Sequence, residues 1–424
     1  MNKEKKSFLR SPGAVSVMSS VVAILIGLVI GFILLLAFNP SHALDGLRRL
    51  LTTGFSSPAM LAKTFYQAAP LMMTGLSVGF AFKTGLFNIG ASGQYVVGTF
   101  CALMCGILFQ WPWWACIIAA AVGGAVWGLF PGLFKALFNV NEVITSIMFN
   151  WIGLFLVNLL CSNTPALLAN FYGDINADRT AKLVDAAAQA IIPTAGLNEV
   201  MGSRYMNISI IITVVFALVM WVVLQKTTFG YELKACGSNK NASIYAGISA
   251  KRNIVLSMVI AGALSGIGGS IYYLSGNSQF VMEKVLPAMG FNGIPVALLA
   301  NSHPIGTIFS ALFISYIRVG GDALQPNFAM ETVDIIIAAI IYLAAFALLM
   351  RTLISKALAG KKKHAAAAAA ADSVPVITAE PYTAEAAGQD VQAAAEETAV
   401  ETADTPPDVQ PPEPIQQNEE VDET

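Results

Sequence analysis

Amide, hydroxyl and carboxyl side chains occur within stretches of the sequence that are otherwise apolar, and they are the groups best suited to bind a ligand there. The candidates are Asn88, Ser92, Gln94, Glu142, Asn150 and Asn292, with Asn158 on the same stretch as Asn150. Amides both donate and accept hydrogen bonds. Several of them around a cavity would suit a neutral polyhydroxy or heterocyclic molecule. We therefore predict that these residues line a passage.

Glu142 leaves two interpretations open. It could face the passage, or it could lie at an interface and favour the amino end of its helix. Asn150 follows eight residues later, about 80° around a helix, so the two side chains need not share a face. Only Glu142 and Asp334 approach an apolar stretch as ionisable groups. A carrier driven by protons or sodium would normally need more such groups, so we expect energy from outside the chain.

Signals for catalysis, metal binding and cofactors are weak. The sequence has no G-x-x-x-x-G-K-[ST] motif, so we do not expect it to bind a nucleotide through a P-loop. Residues 75–79 match G-x-S-x-G, but that motif needs a strand-turn-helix context, and close helix packing explains it better. Gly262 and Gly266 form a GxxxG packing face. Three histidines and five cysteines show no metal-ligand spacing. We predict no catalytic residues, no metal and no cofactor bound by this chain.

Composition indicates a membrane protein. Of 424 residues, 56% are hydrophobic and 12% are charged, whereas soluble proteins carry about a quarter charged residues. We predict an all-α polytopic membrane protein with about ten transmembrane helices, some of them broken. The apolar runs are 15–38, 57–82, 95–109, 113–134, 141–160, 206–224, 254–274, 286–300, 305–319 and 333–350. The eighth is short, so nine spans and a re-entrant piece is the alternative.

The second apolar run is predicted to be broken. Pro70, Gly75 and Gly79 lie within it, and the small-residue passage KTGLFNIGASGQY joins it to the third run. Such residues are tolerated where neighbouring helices or a cavity satisfy the freed backbone groups. This pattern is typical of broken helices that line a transport pathway. Any one of these residues alone is also common in membrane helices.

The segment 226–252 is a polar island between two apolar runs. It carries five basic residues against one acid, Glu232, so the positive-inside rule places it in the cytoplasm. Ser238 or Asn239 can cap a short helix over 240–246, and Gly247 is placed to end it in the left-handed conformation. We interpret this helix as a handle held by a soluble motor. An ordinary basic loop is the alternative.

The other polar regions complete the predicted organisation. Segment 162–205 carries four acids and three bases, and such mixed charge fits the outside face. The amino end, 1–14, is basic, and the transmembrane domain spans 15–353. Residues 354–424 form a basic anchor and then an Ala/Glu/Pro-rich tail, in which the 14 acids after His364 have no basic partner. We predict that this tail is disordered and that both termini are cytoplasmic.

Four blocks of sequence resemble a known family. They are TGLFNIGASGQYVVG, NEVITSIMFNWIG, TTFGYELKACGSNKNASIYAGIS and FNGIPVALLANSHPIG, in this order. They are similar to the membrane permease of bacterial ABC importers in the branched-chain amino acid and monosaccharide class. They look most like the branch associated with nucleoside uptake through basic-membrane-protein lipoproteins. The resemblance covers most of 63–350. Members often have an acid between the two glycines of block 90–94, where this chain has Ser92.

The resemblance implies a type II ABC importer-like permease in the plasma membrane of a bacterial cell. Its partners would be ATPase subunits that use ATP, a second and similar permease in a heterodimer, and an extracellular lipoprotein that binds the substrate. The implied cargo is a nucleoside, and a simple sugar such as ribose is the alternative; nucleic acid is not an expected partner. The implied coupling helix comprises Ser238, Asn239, Lys240, Asn241, Ala242, Ser243, Ile244, Tyr245, Ala246 and Gly247.

Two functions of other classes are kept as alternatives. A secondary carrier would need no ATPase, and neighbouring genes for a double-length ATPase, a second permease and a lipoprotein would argue against it. A membrane scaffold whose acidic tail does the work predicts that deleting everything after Lys363 abolishes activity. We expect transport to survive that deletion.

Overall fold

The computed structural model describes residues 12–345, and its regular structure over that range is helical. In chain order the α-helices are α1 Pro12–Phe38, α2 Ala43–Thr52, α3 Pro58–Lys83, α4 Ala91–Ile107, α5 Trp113–Phe138, α6 Glu142–Ser162, α7 Leu183–Ala186, α8 Leu197–Met201, α9 Ser209–Lys226, α10 Thr228–Ser238, α11 Lys240–Tyr245, α12 Ala250–Tyr273, α13 Ala288–Phe291, α14 Gly293–Leu299, α15 Pro304–Asp322 and α16 Met330–Ala345. The predictions for residues 1–11 and 346–424, including the acidic tail, lie outside the described residues.

Five helices of residues 12–345 are long and apolar enough to cross a membrane, namely α5, α6, α9, α12 and α15. The chain is therefore an all-α, multi-pass membrane protein. Residues 24–38, α4 and residues 288–299 are apolar but shorter. At 1.5 Å per residue the twelve residues 288–299 extend about 18 Å, against roughly 30 Å of hydrocarbon. The total of about ten spans stays a prediction.

The expected break within the second span is wrong. Helix α3 is continuous for 26 residues, with Pro70 inside it. From Ala68 to Ala81 every residue of α3 is buried, so neighbouring helices rather than lipid surround this part. A helix enclosed in this way can keep Pro and Gly without unravelling. The irregular backbone lies instead after α3, over residues 84–90, and again over residues 274–287.

Helix α12 is the central helix of the bundle. In its most apolar stretch 72% of residues are buried, compared with 33% in α5. Gly262 of the GxxxG pair lies against the backbone of Gly124 in α5, where an added Cβ would clash. This confirms the packing interpretation, because small residues let two membrane helices approach closely. Helix α5 turns its large apolar side chains, such as Val122 and Val126, outward.

The amphipathic helices α2 and α10 were not expected from the sequence. Helix α2 follows the first span and buries Ala43, Gly46 and Leu50 on one face. Helix α10 occupies most of the first half of the polar island, residues 226–252. Both are short amphipathic helices, which composition over a membrane-sized window does not reveal.

Helix α9 separates the two largest regions that lie outside the apolar helices. Residues 163–208, at one end of α9, fold into α7, α8 and short 3-10 turns, with isolated β-bridges to residues 179–180. Helices α10 and α11 follow the other end of α9 and form a compact pair, the α10–α11 hairpin. The chain thus presents one folded polar segment at each end of the bundle.

Candidate functional site

The break after α3 is held by a network of buried amides. Asn88 donates from Nδ2 to Oε1 of Gln94 at 2.8 Å, and Gln94 donates from Nε2 to Oδ1 of Asn88 at 3.1 Å. Asn88 Nδ2 also donates to the Ser77 hydroxyl at 3.1 Å, and Ser77 donates to the carbonyl of Ala261 at 2.6 Å. The structure therefore brings two predicted residues, Asn88 and Gln94, into direct contact and links them to α3 and α12.

Asn150 of α6 supports the same break from the other side. Its Oδ1 accepts from the backbone N–H of Gly93 at 2.8 Å, and its Nδ2 donates to the carbonyl of Ile89 at 3.0 Å. Ser265 of α12 donates to the carbonyl of Ala91 at 2.6 Å. Asn150 thus satisfies an N–H and a carbonyl at the start of α4 that would otherwise be unpaired, at a cost of about 1–3 kcal/mol each.

Ser92 connects the first break to the second. Its hydroxyl donates to the carbonyl of Pro287 at 3.0 Å, and Pro287 is the last residue before α13. The two irregular segments, 84–90 and 274–287, therefore meet at the first turn of α4. Such a meeting of interrupted helices is where polytopic transport proteins place their binding sites.

The predicted passage residues are closed off in this conformation. Asn88, Ser92 and Gln94 are fully buried and Asn150 is nearly so. Their polar groups bind one another and the backbone, so they hold the break together rather than line an open cavity. Contact with a cargo stays a prediction for a conformation in which this network opens.

The two remaining predicted residues do not join the network. Glu142 lies in the first turn of α6 and accepts an ion pair from Lys135 of α5 at 2.9 Å. This pairing favours the interfacial interpretation of Glu142 over the passage interpretation. Asn292 separates α13 from α14, and its Nδ2 is buried without a hydrogen-bond partner among the described residues.

The short helix of the polar island has the predicted caps. Asn239 accepts at Oδ1 from the backbone N–H of Ala242 at 3.0 Å, which caps α11 at its amino end. Gly247 has φ +82° and donates its N–H to the carbonyl of Ile244 at 3.0 Å. A left-handed residue just beyond the last turn, usually glycine, is a common helix ending. Asn239 rather than Ser238 is the cap, since Ser238 ends α10.

The α10–α11 hairpin is anchored on α12. Asn253 is fully buried and donates from Nδ2 to Oε2 of Glu232 at 3.1 Å. Tyr245 of α11 is 94% exposed, and Ile244 of α11 and Tyr231 of α10 are also exposed. A cleft of about 580 Å³ opens between α10 and α11. The hairpin therefore combines a fixed base with an exposed aromatic surface.

A direct contact links the hairpin to the break. Gly237, in the last turn of α10, lies against the backbone of residues 83–85, where an added Cβ would clash with the carbonyl of Lys83. A Cβ on Gly85 would in turn lie tightly against Gly237. Gly85 also has φ +74°. Thr84 and Ser257 share a hydrogen bond of 2.7 Å that attaches this segment to α12. A displacement of α10 towards residues 83–85 would therefore press on the segment that carries Asn88.

Several residues of this site were missed from the sequence. Ser77 was read only as a packing residue of the G-x-S-x-G run, Ser265 carried no signal, and Gly237 was one of many glycines. Their partners are distant in sequence, as the separation of 184 residues between Ser77 and Ala261 illustrates. The helical setting of Ser77 agrees with the prediction that it is not a nucleophile. Within residues 12–345 no group of three or more His, Cys, Asp or Glu side chains could hold a metal ion.

Comparison with known proteins assigns a family. Residues 60–345 match the family described as branched-chain amino acid transport system / permease component. The chain is 36% identical over 353 residues, covering 81% of this chain and 95% of the relative, to the nucleoside ABC transporter permease protein NupB of Lactococcus lactis subsp. cremoris. It is 34% identical to the guanosine ABC transporter permease protein NupP of Bacillus subtilis, with 79% and 94% covered.

A more distant relative has another cargo in its name. The chain is 28% identical to the glucose ABC transporter permease protein TsgB13 of Haloferax volcanii, with 76% of this chain and 85% of the relative covered. No solved structure matches the chain significantly.

Proposed function

The chain belongs to the branched-chain amino acid transport system permease family, and from this premise we propose that it is the permease subunit of an ATP-binding cassette importer whose cargo is a nucleoside. The observation that carries the cargo is the similarity to NupB and NupP, which extends over nearly the whole of both relatives. Since these relatives are permease components, the chain is a transport subunit and not an enzyme.

The α10–α11 hairpin is the proposed docking site of the ATPase. Tyr231, Ile244 and Tyr245 expose aromatic and apolar surface outside the apolar helices. Tyr is enriched at the centres of protein interfaces. Closure of the ATPase on ATP would push α10 through Gly237 against residues 83–85, and so act on the network of Asn88. The passage would open where the two irregular segments meet, with Asn88, Ser92, Gln94 and Asn150 exposed to the cargo in that state.

Orientation follows from charge. The hairpin and its flanks carry five basic residues and one acid, so we place them in the cytoplasm. Residues 163–208 then face outside, where a lipoprotein would deliver the nucleoside. With about ten spans both termini are cytoplasmic. A second, similar permease completes the proposed pathway, and the partner ATPase uses the ATP.

The test is uptake by cells that express the chain together with its partner subunits. Labelled guanosine, adenosine and ribose are supplied to wild type and to Gly247→Pro. Proline cannot adopt φ +82° and lacks the N–H that Ile244 accepts, so the variant loses the ending of α11. We expect nucleoside uptake in wild type and its loss in the variant at equal amounts in the membrane.

The other outcomes separate the parts of the proposal. Uptake of ribose alone would refute the nucleoside cargo but leave the importer proposal standing, because one related permease, TsgB13, is named for glucose. Undiminished nucleoside uptake by Gly247→Pro would refute the role of α11. Uptake that persists without any ATPase subunit would favour a secondary carrier.

A further inference from the structure

A second cleft lies at the other end of the bundle, between α6 and the irregular segment 279–288. Its volume is about 350 Å³, within the usual range for sites that bind small molecules. The lining includes Leu154 of α6, Tyr273 of α12, and Gln279, Phe280, Glu283 and Pro287. The cleft thus combines aromatic rings, an amide and one carboxylate.

The base of this cleft is the meeting point of the two irregular segments. Pro287 lines the cleft, and its carbonyl accepts the hydrogen bond from Ser92. Tyr95, one turn further along α4, packs edge-on to Tyr273 with ring centroids 6.4 Å apart. A molecule in the cleft would therefore rest directly above the network that we propose opens during transport.

Residues outside the cleft fix the backbone of its lining through hydrogen bonds. The backbone of Phe280 makes two hydrogen bonds to Thr180: its N–H donates to Oγ1 at 3.0 Å, and its carbonyl accepts from the Thr180 N–H at 2.9 Å. Asn158 donates from Nδ2 to the carbonyl of Glu283 at 2.8 Å. The backbone that presents Glu283 is therefore fixed by residues of α6 and of segment 163–208.

Polar atoms without a partner occur in the lining of the cleft and next to it. Oδ1 of Asn158 and the hydroxyl of Tyr95 are buried without a hydrogen-bond partner among the described residues. The carboxylate of Glu283 makes no hydrogen bond or ion pair within residues 12–345, and its residue is exposed to the cleft. A buried unpaired polar atom is costly. Within the cleft, a ligand that donates hydrogen bonds and has an aromatic face would fit the carboxylate of Glu283 and the rings of Tyr273 and Phe280.

We propose that this cleft is the outer binding site of the cargo and that Glu283 selects ribonucleosides by accepting hydrogen bonds from the ribose hydroxyls. The assignment rests on the proposed function. A carboxylate is acceptor-only, and acidic residues bind ribose hydroxyls in nucleotide-binding folds. The negative charge of Glu283 also disfavours phosphorylated cargo. The rings of Tyr273 and Phe280 provide the apolar wall for the base.

The experiment compares uptake of guanosine with that of 2′,3′-dideoxyguanosine by the whole transporter. Wild type should prefer guanosine. Glu283→Ala should lower that preference by roughly tenfold or more, since a hydrogen bond to a charged group is lost only with the hydroxylated cargo. Glu283→Asp should keep part of the preference. Glu199→Ala is the matched control, because it removes an exposed acid from the same end of the protein without touching the cleft.

Three outcomes would overturn the assignment of Glu283. Absence of uptake of any nucleoside by wild type would overturn the proposed function and this assignment with it. Nucleoside uptake with an unchanged preference in Glu283→Ala would overturn this assignment alone. Equal loss of both cargoes in Glu283→Ala, at normal membrane levels, would also overturn it, because 2′,3′-dideoxyguanosine lacks the 2′- and 3′-hydroxyls that Glu283 is proposed to bind.

Discussion

Replacing Gly247 by alanine tests whether the ending of α11 matters for docking of the ATPase. An added Cβ at Gly247 would meet nothing within 4 Å, so the change brings no steric clash. What remains is the backbone, since φ is +82°. For alanine the left-handed conformation costs roughly 1–2 kcal/mol, a cost that glycine avoids because it has no Cβ. The ratio of correctly ended to unended α11 should therefore fall by a factor of roughly 5 to 30.

The assay measures how much ATPase subunit the permease requires. Purified ATPase is titrated against permease in vesicles, and ATP-dependent uptake is followed. If α11 must be ordered before it docks, the concentration for half-maximal uptake should rise by the same factor of roughly 5 to 30 in Gly247→Ala, with little change in the rate at saturation.

Gly247→Asn is the matched variant. Asparagine tolerates the left-handed conformation, and Asn139 adopts φ +53° at the end of α5 in this protein. Its titration should stay close to that of wild type. An unshifted Gly247→Ala would refute the reasoning. A Gly247→Asn variant as impaired as Gly247→Ala would also refute it, because the cause would then be the side chain and not the backbone.

Asn239→Ala removes the cap of α11, worth about 1 kcal/mol, and should shift the same titration by about fivefold; an unshifted curve would mean that the cap is dispensable. Asn150→Leu leaves two buried backbone groups near α4 unpaired, about 1–3 kcal/mol each, so the thermal midpoint of the purified permease should fall clearly, and a midpoint equal to that of wild type would contradict the bracing role. Gly262→Leu should abolish the folded protein because α5 lies against this glycine, whereas Ala263→Leu, at a less buried position, should be tolerated; similar yields of both on gel filtration would argue against close packing. Glu142→Gln breaks a partly exposed ion pair, so we expect a stability change below about 1 kcal/mol and normal uptake, and loss of uptake in a stable variant would restore its passage role.

Local signals predicted some parts of the molecule well. The caps of α11 at Asn239 and Gly247 were expected because capping depends on residues within one turn of the helix end. The apolar helices α5, α6, α9, α12 and α15 were expected because spanning a membrane requires about twenty apolar residues in succession. The GxxxG pair in α12 was correctly assigned to packing, because this signal depends only on residue size at a helical spacing.

Other features could not be located in this way. Pro70 and the glycines after it suggested a break inside α3, yet α3 is continuous and the irregular backbone follows it at residues 84–90. Whether a proline interrupts a helix depends on the helices that enclose it. The sequence leaves two roles open for Glu142, and the ion pair with Lys135, which the sequence does not reveal, favours the interfacial one.

By itself, the sequence determined that this is an all-α membrane protein, where most of its apolar helices lie and how α11 is capped. These properties depend on hydrophobic surface and hydrogen bonds among neighbours in the chain. Only the tertiary structure decided that Ser77 and Gln94 share Asn88, that Gly237 lies on Gly85, and that Glu283 faces a cleft above Ser92. These contacts join residues far apart in the chain, and a buried polar group is satisfied by whichever partner the packing of the helices brings to it.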